Sequence, residues 1–257
     1  MREALKDTLR EAGEIMLSAQ DIPEKVREKE GRANFVTAYD VQVQKLLQKR
    51  LLELRPQARF LGEEGENQVD PNRGEVFIVD PIDGTTNFIH GLNASAVSVA
   101  LLRDGVVILA AVLDPYRREF FYAEKGKGAT CNGRPLHVAD VDLSESIVCF
   151  GTAPYCEQAI PTTCAMSRVF LDHAVDLRRS GSAVIDLCQV ARGAAGFFWE
   201  WQLCPWDYAA CSLLITEAGG KIGLLDGSPL TFDGPCGVVA GAPRAWEEFF
   251  QKGLDRL

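Results

Sequence analysis

The chain runs to 257 residues, 47% of them hydrophobic and 25% charged, which is enough apolar material for one large domain or two closely packed halves. Its net charge of −9 argues against the nucleic-acid backbone or an anionic membrane as the main partner. No apolar run reaches the ~18 residues of a membrane span, and the charged opening MREALKDTLREAGEIML lacks the apolar block of a secretory signal.

Residues 2–19 read as an amphipathic helix, with Ala4, Leu5, Leu9, Ala12 and Met16 along one face. A second helix is expected over 38–54, where Val43, Leu46, Leu47, Leu51 and Leu54 recur at helical spacing and Pro56 stops the run. ARFLGEE reads as a short strand entering a turn, and EVFIVD, residues 75–80, as an apolar strand buried on both faces. Successive strands follow at 95–103, 106–113 and 119–123, with turns at Asp104-Gly105 and around Asp114-Pro115, while residues 126–136 are turn-rich. Past about residue 141 the pattern changes. SESIVCFG is a strand, and Ser182–Arg192 a helix with Ala183, Val184, Leu187, Cys188 and Ala191 on one face. GFFWE, residues 196–200, is a strand, and Trp206–Ala218 a helix with Trp206, Ala209, Ala210, Leu213 and Leu214 inward. Residues 235–241 form a strand and a last helix begins near Pro243. No internal repeat or long linker appears, so the two halves, 1–141 and 142–257, are expected to pack together in a layered α/β (α+β) architecture.

The eight cysteines are scattered without a CxxC pair, several of them among apolar neighbours, which suits reduced, buried thiols in a cytoplasmic protein. Three histidines, His90, His137 and His173, are too few and too dispersed for a zinc site.

The stretch VDPIDGTTNF, residues 79–88, places Asp80 and Asp83 at the end of a buried run. An isolated Asp-Gly is usually a turn, but a buried carboxylate at a strand end is costly unless paired or metal-bound. Magnesium prefers six oxygen ligands, few of them from protein, and the two acids with the Ile82 carbonyl could serve one or two such ions. Gly84-Thr85-Thr86 opens what reads as a short helix, whose exposed N–H groups would face a phosphate beside the metals. GEE at 62–64 is by itself a solvated acidic turn, and Asp207 by itself a favourable charge near a helix N-terminus. Bound divalent cations would also reconcile an acidic protein with an anionic substrate. There is no G-x-S-x-G, no P-loop and no G-x-G-x-x-G after a strand, and His90 reads as structural.

GEE, DPIDGTTNF and WDYAAC, in this order and at these separations, resemble the inositol monophosphatase family of magnesium-dependent, lithium-sensitive phosphatases. KEGRANFVTAYD at 29–40 and RRSGSAVIDLCQVARGAAGFFWE at 178–200 extend the resemblance over essentially the whole chain. It implies an αβαβα sandwich, usually a homodimer, with the site between the two halves. Glu63, Asp80 and the Ile82 carbonyl would hold a first Mg2+. Asp80, Asp83 and Asp207 would hold a second, a weaker third would sit near Glu63 through water, and Mn2+ could substitute. Gly84 and Thr85 would bind phosphate through backbone N–H groups. Thr85, oriented by Asp40, would help Glu63 position and deprotonate the attacking water. Gly181, Ala183 and Glu200 would line the alcohol side beside Asp83 and Asp207, with Thr152 nearby and Lys29 at the rim. Asn34, Leu92-Asn93 and Ala195 depart from the family pattern, and none is a metal ligand in it.

The expected activity is hydrolysis of inositol monophosphate or a related polyol or sugar phosphate. Fructose 1,6-bisphosphate, histidinol phosphate and a 3′-phosphoadenosine nucleotide are alternatives on the same fold. A non-catalytic sensor or scaffold that binds metal and phosphate is the reading from another class.

Overall fold

The computed structural model of the chain describes residues 1–28, 35–65 and 69–256. Its first layer is the helix pair α1 (Arg2–Leu17) and α2 (Ala38–Leu54). Between them in sequence lies an antiparallel ribbon of β1 (Val26–Glu28) and β2 (Phe35–Thr37). Leu5, Leu9, Ala12 and Met16 form the buried stripe of α1, and Val43, Leu47 and Leu51 that of α2, spaced so that all face one way. Thr37 starts α2 with a capping box: its hydroxyl accepts the Tyr39 and Asp40 N–H groups, and Asp40 accepts the Thr37 N–H.

Next come β3 (Arg59–Gly62), β4 (Glu75–Asp83), α3 (Thr85–Ile89), β5 (Ala96–Arg103), β6 (Val106–Asp114), β7 (Glu119–Glu124), β8 (Ala129–Cys131) and β9 (Arg134–Pro135). Among the described residues these strands form a seven-stranded sheet in chain order, parallel at β3–β4 and antiparallel elsewhere. Side-chain alternation splits it cleanly. Phe77, Val79, Val97, Val99 and Leu101 pack on α1 and α2, while Val76, Ile78, Ala100 and Leu102 face the other side.

The rest of the chain supplies β10 (Ile147–Phe150), α4 (Ala159–His173), β11 (Asp176–Arg178), α5 (Ala183–Ala191), β12 (Phe197–Leu203), α6 (Pro205–Glu217), β13 (Lys221–Leu224), β14 (Cys236–Gly241) and α7 (Pro243–Gln251). The five-stranded sheet runs β11-β10-β12-β14-β13, parallel among β11, β10 and β12. Helices α5 and α6 fill the space between the sheets, with Leu187, Tyr208 and Leu214 in one core with Ile78 on one side and Phe198 on the other. Met166 and Phe170 of α4 and Phe249 of α7 cover the outer face through Phe197 and Trp199. The layers are therefore αβαβα, as expected.

Three local features differ from the sequence expectation. Helix α4 occupies a stretch to which the sequence assigns no element, because Pro161, Thr162 and Thr163 mask its start. Pro161 is tolerated there since first-turn N–H groups have no intrahelical partner. The turn-rich stretch at 126–136 contains two short strands, β8 and the edge strand β9. Strand β4 does not end at Asp80 but runs through Asp83. No helix among the described residues is long and apolar enough to cross a membrane.

Candidate active site

The site begins with an irregularity in β4. Asp80 lies opposite Ser98 and Asp83 opposite Ala96, so three steps on β4 match two on β5. In a regular strand residues three apart point to opposite faces; one extra residue corrects that. Pro81, with no N–H to give the ladder, sits where the bulge falls. Both acids therefore reach one side of the sheet. Because β3 pairs parallel with β4, Gly62 opposite Val79, the chain leaves β3 beside Asp80 and delivers Glu63 there, its N–H donating to the Val79 carbonyl at 3.2 Å. Asp207 arrives from the first turn of α6.

Asp80, Asp83 and Asp207 each offer an oxygen within 4.8 Å of the others. One oxygen of each is already fixed by a backbone donor. Ile82 N–H donates to Asp80 at 3.0 Å, Val184 N–H to Asp83 at 3.0 Å, and Cys204 N–H to Asp207 at 2.7 Å. Ser182 also donates to Asp83, so the start of α5 grips an acid carried by the seven-stranded sheet. Burial, with Glu63, Asp83 and Asp207 close by, holds Asp80 well above the usual carboxylate range. Burial and then Asp83 and Glu63 do the same to Asp207. Asp83 is pushed up to about 7 by burial, against the hydrogen bonds from Ser182 and Val184. Buried like charges at this spacing need a counter-charge. A hard, oxygen-only set without histidine or thiolate suits Mg2+ or a similar divalent cation.

Around this centre lies a cleft of about 610 Å3. Glu63, Ile82, Gly84, Thr85, Gly181, Ala183 and Glu200 all line it. Gly84 adopts a φ of +83°, and a side chain there would press on the Ala94 carbonyl at 3.0 Å. Asp40 is fully buried behind the cleft. The Thr85 hydroxyl lies 3.2 Å from its carboxylate and 3.1 Å from the Ile82 carbonyl. Glu200 is buried at the far wall, where it accepts the Ala153 N–H at 3.2 Å and burial pushes it up to about 8. Thr152 does not line the cleft; its neighbours Gly151, Pro154 and Tyr155 do. Lys29 and Asn34 lie outside the described residues.

Several cleft residues were given no site role from the sequence: Asp186, Arg179 and Trp206, which lie inside the quoted stretches, Tyr155, which does not, and Asn87, whose amide donates to the Ala94 and Ser180 carbonyls. Gln44 on α2 was likewise given none. Its amide spans the Glu64 backbone, donating to the carbonyl at 2.6 Å and accepting the N–H at 2.8 Å. Gly62 leaves room for it, since a Cβ there would lie 2.3 Å from the Gln44 oxygen. Gln44→Ala removes both clamps, at about 1 kcal/mol each. Weaker activation by a divalent cation, about tenfold in half-saturating concentration, with a melting point lowered by roughly 4–8 °C, is the expected result of a metal titration on that variant.

A model of the inositol monophosphatase family matches residues 1–256. The inositol-1-monophosphatase of Rhizobium meliloti is 40% identical over 191 residues, 74% of this chain and 72% of that protein. The Nus factor SuhB of Escherichia coli K12 is 33% identical over 253 residues, 96% of this chain and 93% of that protein. The crystal structure of the extragenic suppressor protein SuhB from Bartonella henselae superposes with a TM-score of 0.88 at 30% identity, over 99% of this chain and 96% of that one. The chain thus belongs to the inositol monophosphatase family, a family of metal-dependent phosphatases.

Proposed function

We propose that the protein hydrolyses the phosphate monoester of a small polyhydroxyl alcohol, inositol monophosphate foremost, by direct attack of water. The observation that carries this reading is the meeting of buried Asp80 and Asp83 with half-buried Asp207 in one cluster, beside Glu63 and the N-terminus of α3. Glu63, Asp80 and the Ile82 carbonyl would hold one Mg2+, and Asp80, Asp83 and Asp207 a second, with a weaker third near Glu63 and Mn2+ as a substitute. When bound, such ions lower the pKa of water, orient it, and stabilise charge on the leaving oxygen. Monoesters hydrolyse extremely slowly unaided, so positioning and charge stabilisation must supply most of the acceleration.

The protein's own groups divide the remaining work. Gly84 and Thr85 hold phosphate oxygens through N–H groups that the first turn of α3 leaves without intrahelical partners. Asp40 takes the Thr85 hydroxyl proton as a hydrogen bond, which turns the Thr85 lone pairs toward the water. Glu63 accepts the water's proton as general base. Asp83, Asp207, Gly181, Ala183 and Glu200 face the alcohol, and the Glu200 carboxylate accepts from its hydroxyls. Lys29 would add positive charge at the rim. The two sequence halves, 1–141 and 142–257, would act as one unit, since Asp83 is gripped by Ser182 and Val184. A homodimer in the cytoplasm is the setting we infer from the resemblance.

Relatives bearing the name Nus factor support a second reading, in which the fold also serves as a binding partner. The retained acids and Thr85 favour catalysis. A phosphate-release panel in Mg2+ separates the readings. It compares inositol 1-phosphate, fructose 1,6-bisphosphate, histidinol phosphate and a 3′-phosphoadenosine nucleotide, and inositol 1-phosphate is expected to be hydrolysed fastest. Turnover of none would leave only the binding role, and a faster nucleotide or bisphosphate would reassign the substrate.

A further inference from the structure

Among the described residues, Asp186 is the buried carboxylate on the cleft wall that the roles above leave unused. Topology explains its surroundings. Strands β11, β10 and β12 are parallel neighbours, so their carboxyl ends open on one edge. That edge carries Arg179, Gly151 and Glu200 into the cleft, where ligands of open α/β sheets belong. Helix α5 starts above the same edge. Its residue Asp186 is 4% exposed, accepts the Ser180 N–H at 3.3 Å and takes a hydrogen bond from the Cys149 thiol. Gly151 keeps the wall flat, because a Cβ there would lie 1.9 Å from the Glu200 carboxylate.

Arg179 lies on this wall, exposed, and its guanidinium acts on both acids, drawing Asp186 and Glu200 downward against burial. Left alone, an arginine at the alcohol end of a phosphatase cleft would welcome a second phosphate or carboxylate, since its planar fork suits such groups. Asp186 lines the same wall and is tied to the residue that follows Arg179, accepting the Ser180 N–H. We infer that Asp186 is a specificity-determining residue: it offsets the charge of Arg179, so that the alcohol wall accepts hydroxyl-bearing groups and refuses a second anionic group. The inference rests on the phosphatase reading above and refines its substrate class to monophosphates of neutral polyols. The mechanism is rejection by unfavourable charge rather than tighter binding of the favoured substrate.

A charge series tests it with the full chain in Mg2+. The quantity read is the ratio of kcat/KM for inositol 1-phosphate to that for inositol 1,4-bisphosphate. Asp186→Asn keeps an oxygen for the Ser180 N–H while removing the charge, and should lower the ratio about tenfold. Most of that change should appear in KM for the bisphosphate. Arg179→Gln, at an exposed position, should move the ratio the other way. A merely structural role for Asp186 would lower kcat for both substrates together and give no opposite response at Arg179. Ratios that stay fixed, or that shift in the same direction in both variants, overturn the inference alone. Absence of turnover by the unsubstituted protein on either compound overturns the phosphatase reading and this inference with it.

Discussion

Asp83→Asn is expected to lower phosphate release by at least about 10²–10³-fold while the chain stays folded. The fold survives because asparagine still offers an oxygen to the Val184 N–H and a contact to Ser182, the two groups that hold Asp83 at the start of α5. What is lost is the charge that would help bind a cation between Asp80 and Asp207. Backbone strain and packing change little, so circular dichroism and the elution volume should match the parent. In chelator the variant should be more stable than the parent at pH 8. Asp83 is pushed up to about 7, so its ionised form is disfavoured in the cation-free fold, and a neutral side chain relieves that. Gain of stability with loss of activity in one substitution is the mark of a site residue whose cost is met by its ligand.

The second large effect is on stability against pH. Asp83 starts from 3.8 in the absence of the fold and reaches about 7 within it, and Asp186 and Glu200 shift the same way, to about 6 and about 8. Below the lower value both folded and unfolded chains are protonated. As pH rises, the unfolded chain ionises first, and the contribution of these groups to stability is lost through the folded values. In chelator these groups therefore push the melting temperature down between about pH 4 and pH 8. Cations favour the ionised acids, and protons must leave for them to bind. The rise in melting temperature on adding Mg2+ should accordingly grow from pH 5 to pH 8. At about a hundred times the dissociation constant it corresponds to about 2.7 kcal/mol, or roughly 5–10 °C for a chain of this size. A thermal-shift series in both media reads it, and Asp83→Asn should flatten the difference. An Mg2+ response that shrinks as pH rises would show that Asp80, Asp83 and Asp207 are not where the cations bind.

Much of this was legible in the sequence, for local reasons. Helices α1 and α2 announced themselves because each buries one apolar stripe, α5 and α6 because each is an apolar run of helical length, buried nearly all round between the sheets, and the strands of the large sheet because turns separate them. The acids were legible because their signals are short and contiguous. The bulge was not, since Pro81 looks like the start of a turn until β5 is seen pairing on both sides of it. Helix α4 was hidden by a first turn of poor helix formers. Gln44 carried no motif, because its partner Glu64 is brought near only by packing, and Asp186, though inside a quoted stretch, showed no role until its place on the cleft wall and its Cys149 partner were seen. Local chemistry was readable along the chain, whereas the residues that aim it depend on which elements become neighbours.

Phosphate release from inositol 1-phosphate by chelator-treated protein, with Mg2+ returned in steps, tests most directly whether the three acids form a working cation site. Run beside Asp83→Asn, it should give no release without the ion, a saturable rise with it, and a flat line for the variant. Equal rates with and without Mg2+, or wild-type rates from Asp83→Asn, would contradict the assignment.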